Sequence, residues 1–265
     1  MTQQLYEHLA EVLRRLGAAP SVFCFLDYDG TLAPIAPTPA EAVALPGTTD
    51  LLQRMTRAPG TSVAVITGRS IADVRRFLDI ADISYIGVHG LESQRPGEAV
   101  ELSPKAVEVR ALVPEIRRQI EASVGRRDGI LLEDKGVAIA CHYRLASRAD
   151  AQAARDAVIG VVESYRSRGV PITFIDGHEV TEVRPAGMDK GEAVAALLAS
   201  REPALALYVG DDRTDEEAFR RLPADAITVR VGDAEQETAA RYVVAGPVEV
   251  QGFLKDVVGV RESAR

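Results

Sequence analysis

Asp27-Tyr28-Asp29-Gly30-Thr31 sets two carboxylates two residues apart, with a glycine and a hydroxyl directly behind them. A carboxylate can attack phosphorus and form an acyl phosphate, dividing a difficult hydrolysis into two easier steps. The second carboxylate can protonate the departing alkoxide and later deprotonate the attacking water. Gly30 lets the backbone come close to a phosphate group. A solvent-facing turn rich in Asp and Gly is the plainer reading of these five residues taken alone. A second acidic cluster, Gly210-Asp211-Asp212-Arg213-Thr214-Asp215-Glu216, offers oxygen ligands of the kind a hard cation such as magnesium takes. The same stretch suits the start of a helix, with Thr214 and Glu217 able to form a capping box.

Three further groups belong with these carboxylates. Thr67-Gly68-Arg69-Ser70 supplies a hydroxyl and the amides of a helix start, both suited to a phosphate oxygen. Lys190, in Met188-Asp189-Lys190-Gly191-Glu192, falls in the first turn of a predicted helix, where the dipole disfavours a cation. That local cost fits a site already holding carboxylates and a phosphate. Glu133 and Lys135, His142 and Arg144, and Glu182 and Arg184 are each two apart, so on strands each pair shares a face. Such a face suits a hydroxyl-rich sugar, although a solvated sheet surface has the same pattern. His89-Gly90 follows another apolar run and can reach the same cleft, while a lone histidine is also commonly structural.

The apolar runs at residues 22–26, 63–66, 83–88 and 205–209 end at Asp27, Thr67, His89 and Gly210-Asp211. With further runs at 227–231 and 242–244, and helical patterns between them, they predict a parallel sheet covered on both faces. Ligands of such sheets bind beyond the carboxyl ends of the strands, where these polar residues gather. Leu5, Leu9, Val12, Leu13 and Leu16 recur at helical spacing and predict an opening amphipathic helix. The middle of the chain differs. Residues 103–124 read as helical, with Pro104 tolerable in the first turn and Pro114 a kink or break. Residues 131–144 alternate around Gly136 as a hairpin, 148–167 are again helical, and 172–183 form a second hairpin around Gly177-His178. This is an inserted α+β module, residues 93–185, within a parallel-sheet core of residues 1–92 and 186–265.

At 265 residues with 46% apolar and 26% charged side chains, the chain has enough material for a real core and an ordinary soluble surface. Its 31 basic against 39 acidic residues give a net charge of -8, which provides no general attraction to nucleic acid or anionic membranes. A phosphorylated ligand therefore needs a local positive pocket. Cys24 and Cys141 lie in apolar stretches and read as packed thiols in a reducing compartment. Residues 1–8 lack the basic start and apolar run of a signal peptide, and no stretch approaches the roughly 18 apolar residues of a membrane span. The expected location is cytoplasmic.

In this order the motifs resemble the haloacid dehalogenase superfamily of phosphotransferases and, within it, the trehalose-6-phosphate phosphatases. The likeness rests on residues 27–35, 66–70, 89–92, 132–136, 142–144, 182–185, 187–191 and 210–216, and covers nearly the whole chain. It implies an α/β haloacid-dehalogenase-like (Rossmannoid) core, with helices flanking the parallel sheet, and an inserted α+β cap of the C2B type. By this resemblance Asp27 is the nucleophile and Asp29 the general acid and base. Mg2+ is held by the Asp27 carboxylate, the Asp29 backbone carbonyl and Asp211, with Asp212 and Asp215 in support. Gly30, Thr67, Gly68, Arg69 and Lys190 hold the phosphoryl group. Glu133, Lys135 and Glu182 grip the phosphorylated disaccharide, with Arg144, Arg184, His89 and Gly90 as further contacts. The length leaves no room for an attached glucosyltransferase domain, so any link to trehalose 6-phosphate synthesis is expected through a separate synthase. A phosphatase for another phosphosugar (sucrose phosphate or a glucosylglycerol-type phosphate) is the nearest alternative. A phosphoacceptor signalling domain or a silent sugar-phosphate sensor is a more distant one, and the inserted module together with Asp29 argues against the signalling domain.

Overall fold

The computed structural model describes residues 2–177, 179–201 and 205–263; His178, expected in the turn of the second hairpin, lies outside them. The chain opens with a two-residue strand β1 (Gln3–Gln4), one 3₁₀ turn (Leu5–Glu7) and α1 (Leu9–Ala18), where leucine spacing predicts a single helix. The difference has a pairing cause: Gln3 and Gln4 bond in parallel to Tyr242 and Val243, which holds the start of the chain extended. There follow β2 (Val22–Asp27), α2 (Thr48–Arg57), β3 (Thr61–Ile66), the short α3 (Ile71–Val74), β4 (Ser84–Gly87) and β5 (Glu92–Gln94). The middle segment contains β6 (Glu101–Leu102), α4 (Pro104–Arg110), α5 (Val113–Val124), β7 (Leu131–Asp134), β8 (Ile139–His142), α6 (Arg148–Arg166), β9 (Ile172–Gly177) and β10 (Val180–Pro185). The chain then runs through α7 (Lys190–Arg201), β11 (Leu205–Gly210), α8 (Arg213–Arg221), β12 (Ile227–Val231), β13 (Tyr242–Val244) and α9 (Pro247–Glu262).

Two units emerge, one of Met1–Val100 with Asp189–Arg265 and one of Glu101–Met188, against the expected insert of 93–185. In the first, the strands run β1-β13-β12-β11-β2-β3-β4-β5 across the sheet. All these neighbours are parallel except β4 and β5, which run antiparallel. Side chains alternate across a strand, and β2 shows the consequence. Val22, Cys24 and Leu26 join a cluster with Leu16 of α1, Leu52 of α2 and Phe253 and Val257 of α9. Phe23 and Phe25 face the opposite way, onto Val194 and Leu197 of α7 and Ala218 and Phe219 of α8. Cys24 is a free thiol in this core, pushed up to about 12 by burial.

In the second unit the antiparallel order is β7-β8-β10-β9. Leu132, Ile139, Cys141, Val183, Ile172 and Phe174 pack one face of this sheet against Ile116 and Ile120 of α5 and Val158 and Val162 of α6. Pro114 does break the predicted 103–124 helix, since it sits in the first turn of α5 after α4 has ended at Arg110. Among the described residues, no helix is long and apolar enough to cross a membrane.

Arg261 closes the base of the first unit. It is 1% exposed, and its guanidinium donates to the carbonyls of Leu16 at 2.9 Å and Ala19 at 2.6 Å, to Thr61 Oγ1 at 3.0 Å and to the Pro59 carbonyl. Removing it strands acceptors from two segments, residues 16–19 and 59–61. Arg261→Ala is expected to lower stability by about 3 kcal/mol, read as a reduced urea midpoint, with Arg261→Lys intermediate.

Candidate active site

Asp27 is the last residue of β2 and continues the Phe23–Phe25 parity, so it projects to the side of the sheet that α7 and α8 cover. There Lys190, the first residue of α7, donates from Nζ to Asp27 Oδ1 at 2.6 Å and to Asp215 Oδ1 at 2.8 Å. All three are buried. Burial alone lowers the proton affinity of an ammonium, but Asp215 and Asp27 together hold Lys190 well above its usual range. Burial also pushes Asp27 well up; Lys190 opposes this, while Asp215 and Asp211 add to it. Asp211 is raised to about 7, by burial first and then by Asp215. Negative charge here exceeds what one lysine neutralises.

Carboxylate oxygens of Asp27, Asp211 and Asp215 lie within 4.8 Å of one another. An oxygen-only donor set with surplus negative charge fits a hard divalent cation, so the residues present fit a metal. Asp215 differs from its neighbours in being occupied on both oxygens. Lys190 and the Tyr208 hydroxyl (2.7 Å) donate to Oδ1, and the Asp212 amide (2.9 Å) donates to Oδ2. Gly30 has φ +79°, and a Cβ on it would lie 2.0 Å from Asp211 Oδ2. Its missing side chain is what admits Asp211 beside the 27–31 turn. The capping box of α8 is Asp212 with Asp215, in place of the expected Thr214 with Glu217. The helix begins two residues earlier than that pairing requires, and Thr214 is buried in its first turn.

Lys190 is aimed by its neighbours. Asp189 Oδ1 accepts from the Glu192 amide at 2.8 Å, capping α7, and also accepts from Arg221 of α8. A Cβ on Gly191 would stand 2.5 Å from the Glu217 carbonyl oxygen. The Asp-Lys-Gly triplet thus caps α7, supplies the cation and admits α8 at close range.

The Arg69 guanidinium, expected at the phosphate, is engaged by Asp29, Asp73 and a backbone carbonyl. It donates from Nε and Nη2 to the two oxygens of Asp29, each at 2.8 Å, from Nη1 to Asp73 at 2.8 Å, and to the Pro39 carbonyl at 2.7 Å. The rings of Tyr28 and Phe77 each lie 5.1 Å from its Cζ. The guanidinium fork matches the Asp29 carboxylate with two parallel bonds. Thr67 is buried at the end of β3, with Oγ1 accepting from the Arg69 amide at 3.1 Å. His89 (φ 55°) and Gly90 form a turn laced to this loop, the His89 amide donating to the Thr67 carbonyl at 3.0 Å. Its imidazole occupies the space that a side chain on Gly68 would need.

Two residues of this site were given no role by the sequence, although Glu92 stands in the 89–92 motif. Tyr208 lies in an apolar strand, and a hydroxyl two residues before Gly210 was its only signal. Glu92, whose Oε2 accepts from the Ile71 amide at 2.8 Å, ties the 87–92 turn to the start of α3 and carries a carboxyl raised by burial.

In the second unit, Glu133, Ala140, Glu182 and Ile175 form one cross-strand row on the face away from α5 and α6. His142 and Arg184 share this face, two residues along β8 and β10. Lys135 lies just beyond β7, and its Nζ reaches Glu182 Oε2 at 2.5 Å. Glu133 Oε2 is 2.8 Å from His142 Nε2. Arg184 is buried beside them. Arg144 departs from the alternation argument: β8 ends at His142, and Arg144 pairs with Glu179 at 3.4 Å at the hairpin end.

Asp211 makes the metal fit testable. A carboxyl held above its unfolded value binds its proton more tightly when folded, so stability present at low pH is lost as pH rises towards about 7. The metal-free protein should lose melting temperature from this group between the ordinary carboxylate range and about pH 7, and Asp211→Asn should flatten the loss. Magnesium at millimolar concentration should raise the melting temperature more at pH 8 than at pH 5, measured by scanning fluorimetry.

The family model described as trehalose-phosphatase matches residues 25–247. The chain is 31% identical over 268 residues to probable trehalose-phosphate phosphatase 2 of Oryza sativa subsp. japonica, covering 91% of this chain and 69% of that one. It is 34% identical over 235 residues to UDP-forming alpha,alpha-trehalose-phosphate synthase B of Dictyostelium discoideum, covering 87% of this chain and 29% of that much longer relative. The solved C-terminal domain of a C. albicans trehalose-6-phosphate phosphatase shares the fold, with TM-score 0.86 at 22% identity over 98% of this chain and 99% of that one. A carboxylate pair at the end of a central strand, a buried lysine beside it and a family match across both units agree: the chain belongs to the trehalose-phosphatase family of the haloacid dehalogenase superfamily.

Proposed function

We propose that this phosphatase hydrolyses trehalose 6-phosphate to trehalose and phosphate through a phosphorylated Asp27. The observation that carries the reading is the meeting of Asp27, Lys190, Asp211 and Asp215, brought from distant parts of the chain to one buried point. Asp27 Oδ attacks phosphorus as the bond to the sugar oxygen breaks, and Asp29 supplies the proton that oxygen takes. Water then attacks phosphorus, Asp29 accepts a proton from it, and the bond from phosphorus to Asp27 breaks to release phosphate. The glycosidic bond is untouched. Both Asp29 oxygens accept from Arg69, which orients the carboxyl.

Phosphoryl transfer depends mainly on positioning and charge neutralisation. Lys190 and Thr67 hold phosphoryl oxygens in this reading, and the backbone at Gly30 and Gly68 leaves room for them. Asp27, Asp211 and the Asp29 carbonyl hold Mg2+, with Asp215 keeping Lys190 in place. When bound, the cation supplies further neutralisation of the phosphoryl oxygens. The helix-free face of the second unit, through Glu133, Lys135 and Glu182, takes the disaccharide, and that unit sets specificity as a cap. The resemblance to a synthase chain supports a functional link to a synthase that makes the substrate.

Asp27→Asn is expected to lower kcat by at least about 10⁴-fold without loss of fold, since an amide cannot act as the nucleophile. Near-normal phosphate release by that variant overturns the mechanism. A panel of trehalose, sucrose and glucosylglycerol phosphates, assayed with magnesium and after chelation, tests substrate and cation together. Trehalose 6-phosphate should lead the panel, and chelation should silence turnover.

A further inference from the structure

On the face of the second unit's sheet away from α5 and α6, two polar pairs share the row that carries Glu133 and Glu182. Lys135 and Glu182 are almost shut from solvent, with side chains 9% and 5% exposed. His142 and Glu133 remain reachable at 24% and 26%. The cross-strand register explains their meeting: His142 lies opposite Leu131, and Glu133 is two residues along on the same face. A carboxylate only accepts, so His142 Nε2 donates across the 2.8 Å to Glu133 Oε2.

From this geometry we infer that His142 is a positioning residue for sugar recognition, holding the Glu133 carboxylate in the plane from which it accepts a hydroxyl of the substrate. This rests on the reading above that the face carrying Glu133 binds the disaccharide. A glutamate has three side-chain torsions, and an unanchored one loses that freedom each time it binds ligand. A charge-assisted bond from a residue on the neighbouring strand removes the cost before the sugar arrives. The imidazole is itself set by β8, whose Ile139 and Cys141 are locked into the core on the other side of the sheet. His142 therefore transmits the rigidity of the packed face to the polar one.

The test is a double-mutant cycle with two substrates, trehalose 6-phosphate and p-nitrophenyl phosphate. His142→Ala should raise KM for trehalose 6-phosphate about tenfold, the scale of one charge-assisted bond, with kcat within about twofold. The preference for the sugar phosphate over the aryl phosphate should fall by the same factor. His142→Gln keeps a donor and should recover most of the loss. The double variant Glu133→Ala/His142→Ala should be no worse than Glu133→Ala alone, since His142 acts through Glu133. Independent, multiplying effects in the double variant, or a normal KM in a folded His142→Ala protein beside an impaired Glu133→Ala, overturn the inference. If Glu133→Ala itself leaves the preference intact, the sugar-binding reading of this face falls, and the inference with it.

Discussion

One buried ammonium holds the site together. Lys190 stands between Asp27 and Asp215 out of reach of solvent, and each partner is tolerable there only because of the others. Two carboxylates at this depth repel and lose their hydration, and an isolated lysine in their place would shed its proton. Breaking such a set by removing one member commonly costs about 3–5 kcal/mol. The constraint reaches outward. Asp215 must be fixed by Tyr208 and the Asp212 amide, α7 must be capped by Asp189, and α7 and α8 must approach as closely as Gly191 allows.

The cluster sits where an α/β sheet naturally concentrates polar groups, beyond the carboxyl ends of its strands. Many residues there serve local structure and site together. Asp212 and Asp215 cap α8 while Asp215 also receives Lys190. Asp189 caps α7 while bonding Arg221. Helix capping and the gathering of acids are one arrangement, because the helix amides at these strand ends stabilise the negative charge that the site collects.

The second unit separates its tasks by strand parity. One face of the β7-β8-β10-β9 sheet is committed to packing on α5 and α6, and the other carries Glu133, His142, Glu182 and Arg184. Long polar side chains on a sheet face are held by their cross-strand neighbours, and Lys135–Glu182 and His142–Glu133 are the pairs that form. Arg69 shows the same economy in the first unit, gathering Asp29, Asp73 and a backbone carbonyl on one guanidinium.

Strand and motif positions were written in the chain itself. Apolar runs ending in Asp27, Thr67 and Asp211 announce buried parallel strands, because a strand covered on both faces has no polar alternation to hide it. The cation cost at Lys190 was likewise visible, since a helix start disfavours a positive charge whatever the fold. What tertiary structure alone decided is partner choice. Arg69 took Asp29 and the Pro39 carbonyl as partners, and Lys190 took Asp27 and Asp215. A two-residue strand at Gln3–Gln4 formed only because β13 offers an edge. Each depends on distances between residues remote in sequence, and local spacing carries no information about which of several matched donors and acceptors will stand within 3 Å of one another.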